Sequence, residues 1–134
     1  MFTLVTCHLW CASGHCSWPT PIIVIYINDI VDNITSQVGL FADDCILYRE
    51  INTSADILAL QKDIDSFENW AKSWQMSFNS KKCHSVTVTR KRQQILSEYF
   101  LGSAPLLKQN DFTYLGVTIA SDLRWNLHVN NVVA

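Results

Sequence analysis

The sequence predicts an α+β fold, a mainly antiparallel sheet with helices packed on one face. Three observations carry that expectation. Two short apolar runs, residues 38–42 and 45–48, are joined through Asp43-Asp44, which reads as two buried strands closed by a tight acidic turn. A long amphipathic segment follows, free of Gly and Pro as far as Met76. After Asn79 the pattern changes to strict alternation rich in β-branched residues.

Taken in chain order, residues 1–20 differ in texture from the rest. They hold three cysteines, two histidines and two tryptophans, carry no charged side chain, and show neither a helical nor an alternating period. The apolar segment at 21–27, running into Asn28-Asp29-Ile30, fits the end of a buried helix or a strand, and periodicity does not separate the two. In the amphipathic segment Thr53 or Ser54 can cap a helix, and Asp56 sits in its first turn near the positive end of the helix dipole. Ile57, Leu60, Ile64, Phe67, Ala71 and Trp74 form a stripe expected to face a core. Gln61, Lys62, Asp63, Asp65, Glu68 and Lys72 are assigned to a solvated face. Cys83, Ser85, Thr87 and Thr89 alternate with His84, Val86 and Val88 as a strand. Tyr99-Phe100-Leu101, Gly102-Ser103 and Pro105-Leu106-Leu107 read as a hairpin. Residues 112–119 read as one last strand, and a helix is expected to start within 122–128.

Composition narrows the class. With 49% apolar and 16% charged residues the chain can bury a core, so disorder is not expected. A net charge of −2 argues against a free-standing nucleic-acid binder, which usually presents a strongly basic face. Lys81, Lys82, Arg90, Lys91 and Arg92 crowd together in sequence, either as a phosphate contact or as a solvated loop. Five cysteines without regular spacing do not make a disulfide framework. The first residues lack the basic start of a signal peptide, and the longest apolar run is far short of a bilayer span.

The chemistry concentrates at Asp43 and Asp44. Adjacent carboxylates at a buried hairpin tip repel and raise each other's pKa, and a divalent cation removes that penalty. Mg²⁺ suits the site, because it takes one or two carboxylates and completes its octahedron with water and substrate phosphates.

The flanks give this pair a context. Phe41-Ala42-Asp43-Asp44 resembles the FADD signature of reverse transcriptases, in particular those of non-LTR retrotransposons, and Tyr26-Ile27-Asn28-Asp29-Ile30 resembles the YINDI segment before it. Trp74-Gln75-Met76-Ser77-Phe78-Asn79-Ser80-Lys81-Lys82-Cys83 is similar to the family's W-x-[LM]-x-F-N-x-x-K-C block. Phe112-Thr113-Tyr114-Leu115-Gly116-Val117, with Leu123, Trp125 and His128, is similar to its F-x-Y-L-G-[VI] and L-x-W-x-x-H block. The four blocks stand in the family's order and spacing over roughly residues 21–129.

The resemblance implies a C-terminal piece of a polymerase palm, with RNA-templated DNA synthesis as the ancestral activity. It implies that Asp43 ligates catalytic Mg²⁺, or Mn²⁺, with Asp44 as auxiliary ligand. Lys82 matches a lysine that protonates the leaving pyrophosphate, with Lys81 beside it as the alternative. Tyr114-Leu115-Gly116 matches a region that helps hold the primer end. The partners implied are an RNA template, a DNA primer and dNTPs, with no membrane. The two-metal mechanism needs a further Asp from an earlier palm strand, and residues 1–20 contain no acidic residue. The isolated chain is therefore expected to be inactive.

Residues 1–20 stand apart from residues 21–134, the partial reverse transcriptase domain. The family carries an S-G-x-P-Q-G-[ST]-x-L-G-P block where this chain has residues 7–19. Back-translating residues 8–19 with permitted codons and reading one nucleotide later gives T-C-G-A-P-Q-G-T-V-L-G, so a frameshift is the expected origin of the mismatch. The rival reading is a small zinc-stapled interaction module held by Cys7, His8, Cys11, His15 and Cys16, in which Asp43-Asp44 is only a turn.

Overall fold

A computed structural model describes residues 1–11, 28–41 and 44–133, the side chains of residues 8–11, 28 and 127 excepted. The expected segment at 21–27 lies outside the described residues. Strand β1 (Phe2–Cys11) comes first, then a 3-10 turn (Asn28–Asn33) and the hairpin β2 (Gln37–Phe41) and β3 (Asp44–Glu50). Helix α1 (Ser54–Ser73) is followed by β4 (Met76–Phe78), a 3-10 turn (Ser80–Lys82) and β5 (His84–Val88). The rest comprises β6 (Phe100–Leu101), β7 (Ala104–Pro105), β8 (Leu107–Gln109), β9 (Asp111–Tyr114), β10 (Val117–Ala120) and helix α2 (Asn126–Val133).

The main sheet runs in the order β2-β3-β1-β5-β8, with β4 pairing to the far end of β1. Every contact between neighbours is antiparallel except β5 with β8. This mixed, mostly antiparallel architecture agrees with the expected class. Its central strand was not expected, because β1 lies in the segment that showed no period. The alternation is there nonetheless: Thr3, Val5 and Cys7 are buried, while Leu4 and Thr6 are only partly so.

Helix α1 covers one face. Leu60, Ile64 and Phe67 pack with Val5, Cys7, Leu47, Ile51, Cys83 and Tyr99, and burying each large side chain contributes roughly 1.5–3 kcal/mol. Its start is fixed by Thr53 as N-cap, with the Asp56 carboxylate accepting the N–H groups of Asn52 at 3.0 Å and Thr53 at 2.9 Å. At its other end Trp74 is the C-cap and is 40% exposed, so the stripe stops at Ala71 and the sequence assignment of Trp74 to the core is corrected. Gln75 then turns the chain with φ of 56°, a left-handed conformation that normally favours Gly.

Asp63 is a second correction. Assigned to the solvated face, it is 2% exposed. Its carboxylate accepts the N–H groups of Thr35 at 3.1 Å and Ser36 at 2.9 Å, together with both their hydroxyls. The chain entering β2 is thereby tied to the helix, and Arg49 donates to the Thr35 hydroxyl from outside at 2.9 Å.

Among the described residues, the opposite face is covered by a hairpin and not by a helix. Residues 112–119, expected as one strand, divide into β9 and β10, which pair Tyr114 with Val117 across Leu115-Gly116. Those two residues have φ of 50° and 79°, the positive pair that a two-residue type I′ turn requires. Phe112 of this hairpin packs on Ile46, Val86 and Val88. Strand β5 is therefore buried on both faces. The Gly102-Ser103 hairpin appears as expected, as β6 and β7. Gln61 of α1 clamps it with a pair of hydrogen bonds to the Phe100 backbone, of 2.8 and 2.9 Å. Helix α2 forms at Asn126, slightly later than the expected window opens.

Candidate active site at the acidic turn

The β2–β3 register pairs Phe41 with Asp44, which makes Ala42 and Asp43 the two connecting residues. Asp43 itself lies outside the described residues, so its expected role has no geometry to meet. Asp44 opens β3, half-buried, with His8 of β1 opposite it in the register. Gly39 sits opposite Ile46 in this hairpin. A Cβ there would meet Ile46 Cγ2 at 2.6 Å, so the absent side chain makes room for Ile46, while the Tyr114 hydroxyl would lie at an ordinary contact distance of 3.5 Å.

Asp44 lines a cavity of about 240 Å³ between the sheet and the β9–β10 hairpin, together with Thr6, His84, Gln109, Phe112 and Tyr114. Burial pushes the Tyr114 pKa up from its ordinary 10.0, and the negative charge of Asp44 adds to the effect, followed by Cys45. Tyr114 thus keeps its proton throughout the physiological range and presents a neutral side chain to the cavity that Asp44 also lines. Its inclusion was foreshadowed in sequence only by the F-x-Y-L-G block. His84, Gln109 and Thr6 gave no signal, because they meet only when three strands and a distant hairpin are assembled.

Lys82 is exposed at the end of the Ser80–Lys82 turn, which Asn79 caps by accepting the Lys81 N–H at 3.1 Å. Since β5 starts with His84 opposite Thr6, Lys82 emerges at the same end of the sheet as Asp44, on the other side of β1. Lys81 is equally exposed, and both alternatives stand. The basic group read from the sequence is divided by the fold: Arg90, Lys91 and Arg92 follow the far end of β5, about 25 Å from Lys82 at strand rise.

The zinc-module reading is not supported. Cys7 and Cys11 lie four residues apart on one extended strand, so their Cα atoms are about 13 Å apart. Two thiolates bound to one zinc at about 2.3 Å cannot come from such positions. His15 and Cys16 lie outside the described residues, and among those described no group of three His, Cys, Asp or Glu side chains is placed to hold a metal ion. Also among the described residues, no helix is long and apolar enough to cross a membrane.

The family model for "Reverse transcriptase (RNA-dependent DNA polymerase)" matches residues 20–119, which include the acidic hairpin, α1, β5 and all but the last residue of the β9–β10 hairpin. The chain belongs to the reverse transcriptase family. Among curated relatives, the RNA-directed DNA polymerase from mobile element jockey of Drosophila melanogaster is 27% identical over 111 residues, 76% of this chain and 11% of that protein. The probable RNA-directed DNA polymerase from transposon X-element of the same species is 29% identical over 125 residues, 92% of this chain and 13% of the relative. The jockey polymerase of Drosophila funebris is 28% identical over 96 residues, covering 71% and 10%. This reverse transcriptase chain therefore spans about a tenth of the length of these relatives. The mobile-element resemblance read from the four blocks agrees with them.

Proposed function

We propose that the chain is the part of a retrotransposon RNA-directed DNA polymerase palm that carries the metal-binding turn, with Asp43 and Asp44 as ligands of Mg²⁺. The observation that supports this most is Asp44 at the opening of β3, facing a cavity of about 240 Å³ within the segment matched by the family. Oxygen donors are the right kind for a hard cation, and two neighbouring carboxylates fit a single ion whose remaining positions go to water and phosphate. They do not complete a two-metal site, because β1, the strand beside Asp44, carries no acidic residue.

A bound Mg²⁺ would neutralise the charge that develops on the phosphoryl oxygens during nucleotidyl transfer. The chain's own residues do the rest. Asp44 holds its carboxylate at the cavity wall, Tyr114 presents a neutral side chain to the same cavity, and Lys82, or Lys81, offers a positive charge and a proton to the departing pyrophosphate. An RNA template, a DNA primer and dNTPs are the partners of the intact enzyme under this reading.

Primer extension on an RNA template with Mg²⁺ or Mn²⁺ is the test. The isolated chain should incorporate nothing, since two carboxylates cannot hold two ions in line with primer and nucleotide. In the intact jockey polymerase, Asn in place of the aspartate aligned with Asp43 should abolish synthesis and leave template binding nearly unchanged. Incorporation by the isolated chain that disappears in Asp43→Asn would overturn the incomplete site. Undiminished synthesis by the substituted relative would overturn the ligand assignment. The frameshift origin of residues 1–20 belongs to the same proposal: the locus should encode Pro-Gln-Gly one nucleotide downstream of the present frame, and a locus encoding nothing of the kind there removes it.

A further inference from the structure

Three cysteines that stand far apart in sequence form one row across the sheet. Cys7 lies directly opposite Cys45 on β3. On the other side, the β1–β5 register pairs Thr6 with His84, and Cys83 just before it is extended, so the same register brings Cys83 opposite Cys7. All three are buried on the helix side of the sheet, at 5%, 2% and 0% exposure.

In an antiparallel strand the N–H and C=O of one residue point to the same side. A residue on a central strand is therefore a hydrogen-bonded pair with one neighbour and a non-hydrogen-bonded pair with the other, where Cα atoms approach to about 4.5 Å and side chains are closer. Cys7 must make one such narrow pair. Of its two neighbours, Cys83 raises the Cys7 pKa more, through hydrogen bonding and charge, and Cys45 less, through charge alone, which points to Cys83 as the near partner.

We propose that Cys7 and Cys83 are a dithiol poised for disulfide formation, a modification site that would pin β1 to β5 at the end of the sheet that carries Asp44. The oxidant is a small disulfide such as oxidised glutathione. One protein thiolate attacks it, forming a mixed disulfide and releasing one glutathione thiolate, which takes up a proton. The second protein thiol loses its proton to solvent, and its thiolate attacks the mixed disulfide at the protein sulfur. The Cys7–Cys83 bond forms as the second glutathione leaves. Two protein thiols lose two electrons and two protons, and the oxidant becomes two thiols. Hydrogen bonding with Cys83 and burial push the Cys7 thiol well above its ordinary 9.0, so the reaction is slow and waits on opening of β1 from its neighbours.

The test compares the disulfides formed by the full chain with oxidised glutathione in native buffer and in guanidinium chloride. Free thiols are then alkylated and the digests mapped by mass spectrometry. Among Cys7, Cys45 and Cys83, the Cys7–Cys83 loop is twice as long as either alternative. In the unfolded chain it should form about threefold less often than each, by loop-closure entropy. Native buffer should reverse this order, with Cys7–Cys83 the main link of the three and Cys45 alkylated. A native product dominated by Cys7–Cys45, an order unchanged from guanidinium, or three thiols that all stay free would each overturn the proposal.

Discussion

Replacing Asp63 with Ala tests the internal wiring of the fold most sharply, because the sequence pattern alone would rank the change as harmless. The carboxylate accepts two backbone N–H groups, from Thr35 and Ser36, and both hydroxyls of the same residues. The hydroxyls can rotate toward other acceptors, but the N–H groups cannot. A buried donor left without an acceptor costs about 1–3 kcal/mol, and with the Ser36 N–H buried and the Thr35 N–H partly so the expected loss is about 2–4 kcal/mol. Asp63→Asn should fall between this variant and the parent, because one oxygen remains while the amide NH₂ faces a donor. Asp65, two positions on, is exposed and bonded to Gln61 at 2.8 Å, so Asp65→Ala should stay within about 0.5 kcal/mol of the parent. Urea denaturation followed by tryptophan fluorescence gives all three values. A loss below about 1 kcal/mol for Asp63→Ala, or one equal to that of Asp65→Ala, would refute the role assigned to this carboxylate.

Phe67→Ala should cost about 3–5 kcal/mol, as the ring is 3% exposed and meets Phe78 edge-on at 6.0 Å, whereas Trp74→Ala at the exposed C-cap should cost about 1 kcal/mol or less; equal losses in denaturation would restore Trp74 to the core. Gln75→Gly should stabilise by about 0.5–1 kcal/mol, because the left-handed φ of 56° suits Gly, and a lower denaturation midpoint would contradict the turn geometry. Hydrogen bonds from the Asn52 and Thr53 N–H groups hold the Asp56 carboxyl below its usual 3.8, so its contribution is present above that pH and lost as pH falls through the lowered folded-state value. The melting-temperature gap between the parent and Asp56→Asn should therefore shrink below about pH 3.8, and a gap that widens there would reverse the sign of the linkage.

Elements governed by local periodicity were legible in the sequence. The cap at Thr53, the stripe from Leu60 to Ala71 and the alternation of β5 all rest on contacts that recur every two to four residues. Asp63 was hidden by its residue type, although it stands three positions after Leu60 and four before Phe67 and so falls inside the buried stripe. What buries it is Thr35 and Ser36, a partner segment that helical spacing does not reveal. The split of residues 112–119 was carried by a Gly after Leu115, a weak signal beside the surrounding β-branched and aromatic residues. Strand β1 was obscured by its cysteines and tryptophan, yet it became the central strand because Thr3, Val5 and Cys7 present one inward face. The strands on either side of Asp43-Asp44 were legible from their apolar residues. The cavity was not, since its far wall comes from a hairpin some seventy residues later, with Tyr114 seated over Gly39.

The most direct test of the acidic turn as a cation site is a Mn²⁺ titration of the labelled chain followed by NMR. Paramagnetic broadening should appear first at the amides of Phe41, Asp44 and Cys45, reach Tyr114 across the cavity, be competed by excess Mg²⁺, and disappear in Asp43→Asn/Asp44→Asn. Broadening that begins elsewhere, or that survives the double substitution unchanged, would contradict the assignment of the metal to this turn.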